Sequence, residues 1–144
     1  MDFIPRDVLS RNPAQTQRCL RNAAQSVTVR GRSRSGVSTD VDGSTGFVRL
    51  HDEVDIAALA EIEQAFLGMT ELGLERLVVD FTGARFVDSK AIEAVMRGAR
   101  SAHAAGVRVA AAGATGSVAR AIDICGLEHA MPVYDSRDQA VAAL

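Results

Sequence analysis

Arg76-Leu77-Val78-Val79-Asp80-Phe81-Thr82-Gly83 is the stretch on which the fold turns. Its short apolar run of β-forming residues reads as a buried strand, and Thr82-Gly83 reads as the loop that leaves it. Downstream, Ile92, Val95, Met96 and Ala99 mark a helical stripe that continues to about Ala105, with Gly106 closing it as glycine does beyond a C-cap. Val107-Arg108-Val109-Ala110-Ala111-Ala112 is the next strand. Strand, helix and strand joined by short connections make a parallel unit, because parallel strands need a crossover between them.

Reading toward the N-terminus, Leu59, Ile62, Phe66 and Met69 fall on one face of an amphipathic helix that begins near Ile56 and ends at Gly73. Before it, Val37 to Val41 and Phe47-Val48-Arg49-Leu50 read as two strands. Asp42-Gly43-Ser44-Thr45 joins them with turn chemistry, which makes a hairpin. Toward the C-terminus, Val118, Ile122 and Cys125 share a helical face that stops at Gly126. Met131 to Tyr134 is a last short strand. Ser136 and Gln139 have capping-box spacing and open a final helix that runs to Leu144. The expected fold is α/β: a single domain over residues 36–144, with a mostly parallel mixed sheet, an N-terminal β-hairpin and about four helices.

The first 35 residues differ in character. They carry seven arginines (6, 11, 18, 21, 30, 32 and 34) against Asp2 and Asp7, a net charge of +5. The remaining residues carry nine Lys and Arg against sixteen Asp and Glu, a net of −7. Asn12-Pro13 suits the start of a short helix through about Ala24, and Arg30-Gly31-Arg32-Ser33-Arg34-Ser35-Gly36 reads as linker. Residues 1–35 are therefore expected to be a flexible basic extension. The acidic body that follows is a poor partner for nucleic acid and a fitting one for a basic protein surface. Trp is absent and aromatic residues are 4% of the chain, which argues against a base-stacking platform.

No apolar run approaches the length of a membrane span, and no apolar core of a signal peptide follows the N-terminal arginines. Cys19 and Cys125 are far apart and form no CxxC pair, as expected in a reduced cytoplasmic setting. His51, His103 and His129 lack metal-ligand spacing, so no metal and no cofactor is expected. Asp40-Val41-Asp42-Gly43 opens like a calcium loop, but His51 stands where the closing glutamate is required, and a hairpin turn is the better reading. Gly113-Ala114-Thr115-Gly116-Ser117 lacks the lysine of a phosphate loop; Thr115 or Ser117 is expected to cap the next helix. Ser89 is not in a nucleophile elbow. Asp52, Glu53 and Asp55 fit a solvated turn and helix cap better than acid–base chemistry. Nothing in this set assembles an enzyme.

Asp88-Ser89 remains, at a loop-to-helix transition. Both are strong N-cap residues, and starting the helix is sufficient reason for them. A helix start is also where free N–H groups and the positive dipole end tolerate a phosphate. Phosphoserine there adds about 1.5–2 negative charges, which leaves the fold intact but disfavours an acidic or dry partner contact.

At this point the body resembles the STAS domain family, in its anti-sigma factor antagonist type, from Gly36 to Leu144. Phe47-Val48-Arg49-Leu50-His51-Asp52-Glu53-Val54-Asp55 resembles the family's strand ending in Gly-Glu-Leu-Asp. Leu77-Val78-Val79-Asp80-Phe81-Thr82-Gly83 resembles its central strand and turn, and Phe86-Val87-Asp88-Ser89 its phosphorylation motif. Ile122 to Leu127 and Val133-Tyr134-Asp135-Ser136 resemble its closing helix and strand. The resemblance implies a transcription regulator active in stress responses. Such a protein binds an anti-sigma factor that is also a serine kinase, and is switched off when that kinase phosphorylates Ser89. Glu53, Asp55, Asp88, Ser89 and Lys90 are then the partner-binding residues, with Asp55 near Ser89. The implied protein is cytoplasmic, a monomer or weak dimer, and contacts neither nucleic acid nor membrane. Three positions depart from the pattern: Lys90 replaces a small hydroxyl residue, Ala91 the following glycine, and Asp52 the glycine before Glu53. These departures keep a non-phosphorylated STAS scaffold or accessory module as the alternative. A small-molecule-binding α/β protein is a third reading.

Overall fold

The computed structural model describes residues 36–144. The expected N-terminal extension, its helix over 12–24 and Cys19 lie outside the described residues. The elements are β1 (Val37–Asp42), β2 (Thr45–Val54), a 3-10 turn (Ile56–Ala58), α1 (Leu59–Glu71), β3 (Arg76–Val87), α2 (Ser89–Ala104), β4 (Arg108–Ala112), α3 (Gly116–Cys125), a second 3-10 turn (Leu127–His129), β5 (Val133–Tyr134) and α4 (Arg137–Ala143). They form a 5-stranded sheet in the order β1-β2-β3-β4-β5. β1 pairs antiparallel with β2, and every other pairing is parallel. The α/β mixed sheet, the opening hairpin and four α-helices are therefore all present.

Two cores follow from the alternation of side chains along the strands. Val48, Leu50, Leu77, Val79, Phe81, Val109 and Ala111 face α1, α2 and α3, where they meet Ile62, Phe66, Ile92, Val95, Val118 and Ile122. Leu50, Ile62, Leu77, Ile92 and Val95 are fully buried, each contributing about 1.5–3 kcal/mol by leaving water. The opposite face carries a smaller cluster of Phe47, Val78, Ala110 and Ala112, closed by Ala140 of α4 with Val141, Leu144 and Tyr134 at its margin. Small side chains on β4 let this short helix lie close. α1 and α2 also approach closely, because Gly98 leaves room for the Phe66 ring: a Cβ at Gly98 would collide with it.

The sheet is longer than the sequence pattern indicated. β2 reaches from Thr45 to Val54, and β3 continues past Phe81 to Val87, so Thr82-Gly83 is strand and not loop. Cross-strand pairing overrides the local turn chemistry here: Gly83 pairs with His51, Ala84 with Asp52 and Phe86 with Glu53. The register shifts between Arg49 and His51 and again between Asp52 and Glu53. Asp52 sits at the second shift with φ 59, the left-handed region that glycine occupies most easily. Asp52 and Glu53 are thus strand residues, not the solvated turn expected of them. The last strand is shorter than expected, at Val133–Tyr134.

Helix ends follow the expected chemistry with one exception. Ser136 Oγ accepts from the Gln139 amide at 3.2 Å. Gly126 ends α3 at φ 76. Thr115 occupies the N-cap position of α3 but makes no side-chain cap bond. Ser117 does not cap either; its hydroxyl donates to the Arg85 carbonyl at 3.3 Å. Cys125 is half-buried against the main core, as its helical stripe predicts.

Candidate functional site

The residues singled out in the sequence meet at the ends of β2 and β3. Val54 pairs with Val87 as the last residues of these parallel strands. The Asp88 amide then donates to the Val54 carbonyl at 2.9 Å. Asp55 and Asp88 are therefore the next residues on two adjacent chains, and each caps the helical turn that follows. Asp55 Oδ1 accepts from the Ala57 amide at 3.0 Å. Asp88 Oδ1 accepts from the Lys90 amide at 2.9 Å, and the Asp88 carbonyl accepts from Ile92 at 3.0 Å to start α2. Of the two residues able to cap α2, Asp88 does so.

Ser89 is left as the first residue of a 16-residue helix. It is exposed, and its hydroxyl reaches only Asp88 Oδ1, at 3.5 Å. An N–H-rich helix start beneath an exposed hydroxyl is a place where added negative charge is well received. Lys90 is exposed and directs its ammonium along the helix to Glu93 Oε1 at 4.0 Å. Ala91 points into the core and is fully buried. Glu53 is exposed one residue before the strand end, opposite Phe86.

Two residues at this end were not read as site residues from the sequence. Ile56 is 62% exposed and Phe86 49% exposed, although both are large and apolar. Each adjoins a site aspartate or its strand: Ile56 follows Asp55, and Phe86 lies two residues before Asp88. Val87 is buried, so strand alternation turns Phe86 to the other side. Ile56 and Phe86 thus add two exposed apolar side chains to the strand ends that carry Asp55 and Asp88.

The Gly113–Ser117 loop does not form an open cradle at its first glycine. Gly113 packs on β3, where an added side chain would collide with the Thr82 hydroxyl. Among the described residues no group of three or more His, Cys, Asp or Glu side chains gathers as metal ligands, and no helix is long and apolar enough to cross a membrane.

Comparison with known proteins matches this architecture. Residues 37–140 match the STAS domain family. No curated protein matches the chain. Among solved structures, an anti-sigma factor antagonist from Mycobacterium paratuberculosis superimposes with a TM-score of 0.60 at 21% identity, over 77% of this chain and 96% of its own. The phosphorylated form of the Bacillus cell fate determinant SpoIIAA superimposes with a TM-score of 0.58 at 18% identity, over 74% and 97%. A serine-to-glutamate variant of RsbS from Moorella thermoacetica does so with a TM-score of 0.65 at 19% identity, over 77% and 94%. At such identities these likenesses concern the fold. The family match spans most of the chain and covers the hairpin, the parallel strands and the capped helix start alike, so the chain belongs to the STAS domain family.

Proposed function

We propose that this protein is an anti-sigma factor antagonist whose binding to an anti-sigma factor of the serine-kinase type is ended by phosphorylation of Ser89. The observation that carries this reading is the exposed hydroxyl of Ser89 on the first residue of α2, held only by a long 3.5 Å bond to the Asp88 carboxylate oxygen that caps the helix. The helix does not depend on the Ser89 side chain, so modification alters the surface and spares the fold. Glu53, Asp55, Asp88 and Lys90 supply polar contacts, and Ile56 and Phe86 supply the apolar ones. The protein acts by binding, not catalysis. It works in the cytoplasm as a monomer or weak dimer, contacts neither membrane nor nucleic acid, and thereby regulates transcription under stress. Residues 36–144 are the binding domain and residues 1–35 its basic extension.

The test is incubation of the full chain with a cognate anti-sigma kinase and ATP, followed by intact mass and binding measurements. One added phosphate, absent from Ser89→Ala, and loss of binding in Ser89→Asp are expected. Ser89→Asp binding as tightly as the unsubstituted chain would sink the switch. A second reading, a STAS interaction module that is never phosphorylated, draws on Lys90 and Ala91. Lys90 presents a long cationic side chain beside Ser89, and Ala91 strengthens the helix while removing the close backbone approach that a glycine there would allow.

A further inference from the structure

The basic residues 1–35 join the domain beside the residues of the proposed switch. Val37 pairs with Leu50, so β1 starts alongside the last part of β2. Just before it, Gly36 is buried, and its carbonyl accepts from the His51 amide at 2.9 Å. A Cβ at Gly36 would collide with the His51 carbonyl and lie 3.3 Å from both the Glu53 carbonyl and Val54 Cγ2. The chain is thus seated against the end of β2 that leads into Asp55.

That strand end is acidic. Asp52, Glu53 and Asp55 are exposed, and Asp88 is the first residue past the neighbouring end of β3. Arg85 and Lys90 are the cations of the adjoining segments, and Lys90 is 4.0 Å from Glu93. Ile56 and Phe86 are the exposed apolar side chains there. Arg30, Arg32 and Arg34 lie within six residues of Gly36, with Val27 and Val29 just before them. A chain spans at most about 3.6 Å per residue, so the backbones of these arginines stay within about 20 Å of Gly36. Groups tethered by so short a segment meet at an effective concentration on the order of millimolar.

We infer that residues 1–35 dock in cis on this end of the sheet, with Arg30, Arg32 and Arg34 on the Asp52, Glu53 and Asp55 carboxylates, and shield the surface assigned above to the protein partner. The shielding rests on that assignment; the docking does not. A guanidinium suits the role because its planar fork of donors matches a carboxylate. Single exposed pairs contribute little, so the contact depends on several arginines together.

The test is amide-resolved NMR of the full chain without partner. In Arg30→Gln/Arg32→Gln/Arg34→Gln, the amides of residues 52–55 and 88–90 should shift. Sodium chloride at about 1 M, where the Debye length is about 3 Å, should move the unsubstituted chain toward the same positions. The docking equilibrium constant should fall about tenfold in this variant. Asp52→Asn with Glu53→Gln should in turn shift the amides of residues 30–34; asparagine suits the left-handed backbone of Asp52, so the strand is kept. Arg6→Gln/Arg11→Gln/Arg18→Gln, the same loss of charge farther from Gly36, should leave the strand-end amides in place. The docking is refuted if those amides do not move, or if the two arginine variants respond alike. It is also refuted if the movement depends on protein concentration, which would put the extension on a second copy. Shielding is read by calorimetry with the anti-sigma factor. The Arg30→Gln/Arg32→Gln/Arg34→Gln variant should bind it more tightly than the unsubstituted chain, and equal or weaker binding overturns the shielding even where the docking holds. Retention of binding by Ser89→Asp would overturn the phosphorylation switch and leave the docking standing.

Discussion

The backbone amide of Asp88 is bonded to the carbonyl of Val54 at 2.9 Å, which locks the start of α2 to the end of β2. The Asp88 side chain adds the cap on Lys90. Asp88→Ala should cost about 1 kcal/mol in urea unfolding, the usual value of an N-cap, while Asp88→Asn retains most of it. If both variants lose partner binding but only the alanine loses stability, the carboxylate is shown to serve recognition beyond capping.

Ser89→Asp places a negative charge in the first turn of α2. The interaction with the helix dipole should leave stability unchanged or raise it by about 0.3–1 kcal/mol. Thermal unfolding of Ser89→Asp and Ser89→Ala side by side checks this. Partner affinity should nevertheless fall about a hundredfold in the aspartate variant, a loss of roughly 3 kcal/mol. A variant equally folded and unable to bind separates the surface effect from the structural one.

Phe86 and Ile56 are exposed, so removing them should change stability by no more than about 0.5 kcal/mol. If they are the apolar anchors of the partner surface, Phe86→Ala should weaken binding by about 2 kcal/mol or more. Calorimetric titration with the partner gives the number. Leu67, also exposed but on α1, is the matched control and should have no effect on binding.

Gly98 and Phe66 form a tight contact between α2 and α1. Gly98→Ala gains about 1 kcal/mol of helix propensity but overpacks the contact at a cost of about 1–3 kcal/mol. The expected balance is a net loss. In a double-mutant cycle with Phe66→Leu, the penalty of Gly98→Ala should shrink, giving a coupling of about 0.5–3 kcal/mol. Additive effects would mean that the two side chains do not meet in solution.

The parallel core was legible because Leu77-Val78-Val79 and Val109-Ala110-Ala111-Ala112 are unbroken apolar runs, and the helices around them carry clear apolar stripes and glycine stops. The extension of β3 over 82–87 was not. Thr82-Gly83-Ala84-Arg85 has loop composition, and only its pairing with β2 through two register shifts makes it strand. At the site, the helix start at Ser89 follows from local capping preference. The adjacency of Asp55 and Asp88 depends on which strands lie side by side and in what register, and was expected only through family resemblance.

The two faces of the sheet are guarded unequally. Three helices cover one, and on the other a small alanine-lined cluster is closed by α4, a helix of 7 residues. A helix so short has little stability of its own and depends on its docking. In amide hydrogen exchange, α4 should therefore open well before the rest of the domain, with α2 and the central strands exchanging last. Each such opening uncovers Phe47 and Val78 for a moment and takes Arg137 away from Asp80. The native state is then a domain with one loose shutter, held shut by the docking of α4 on that small cluster.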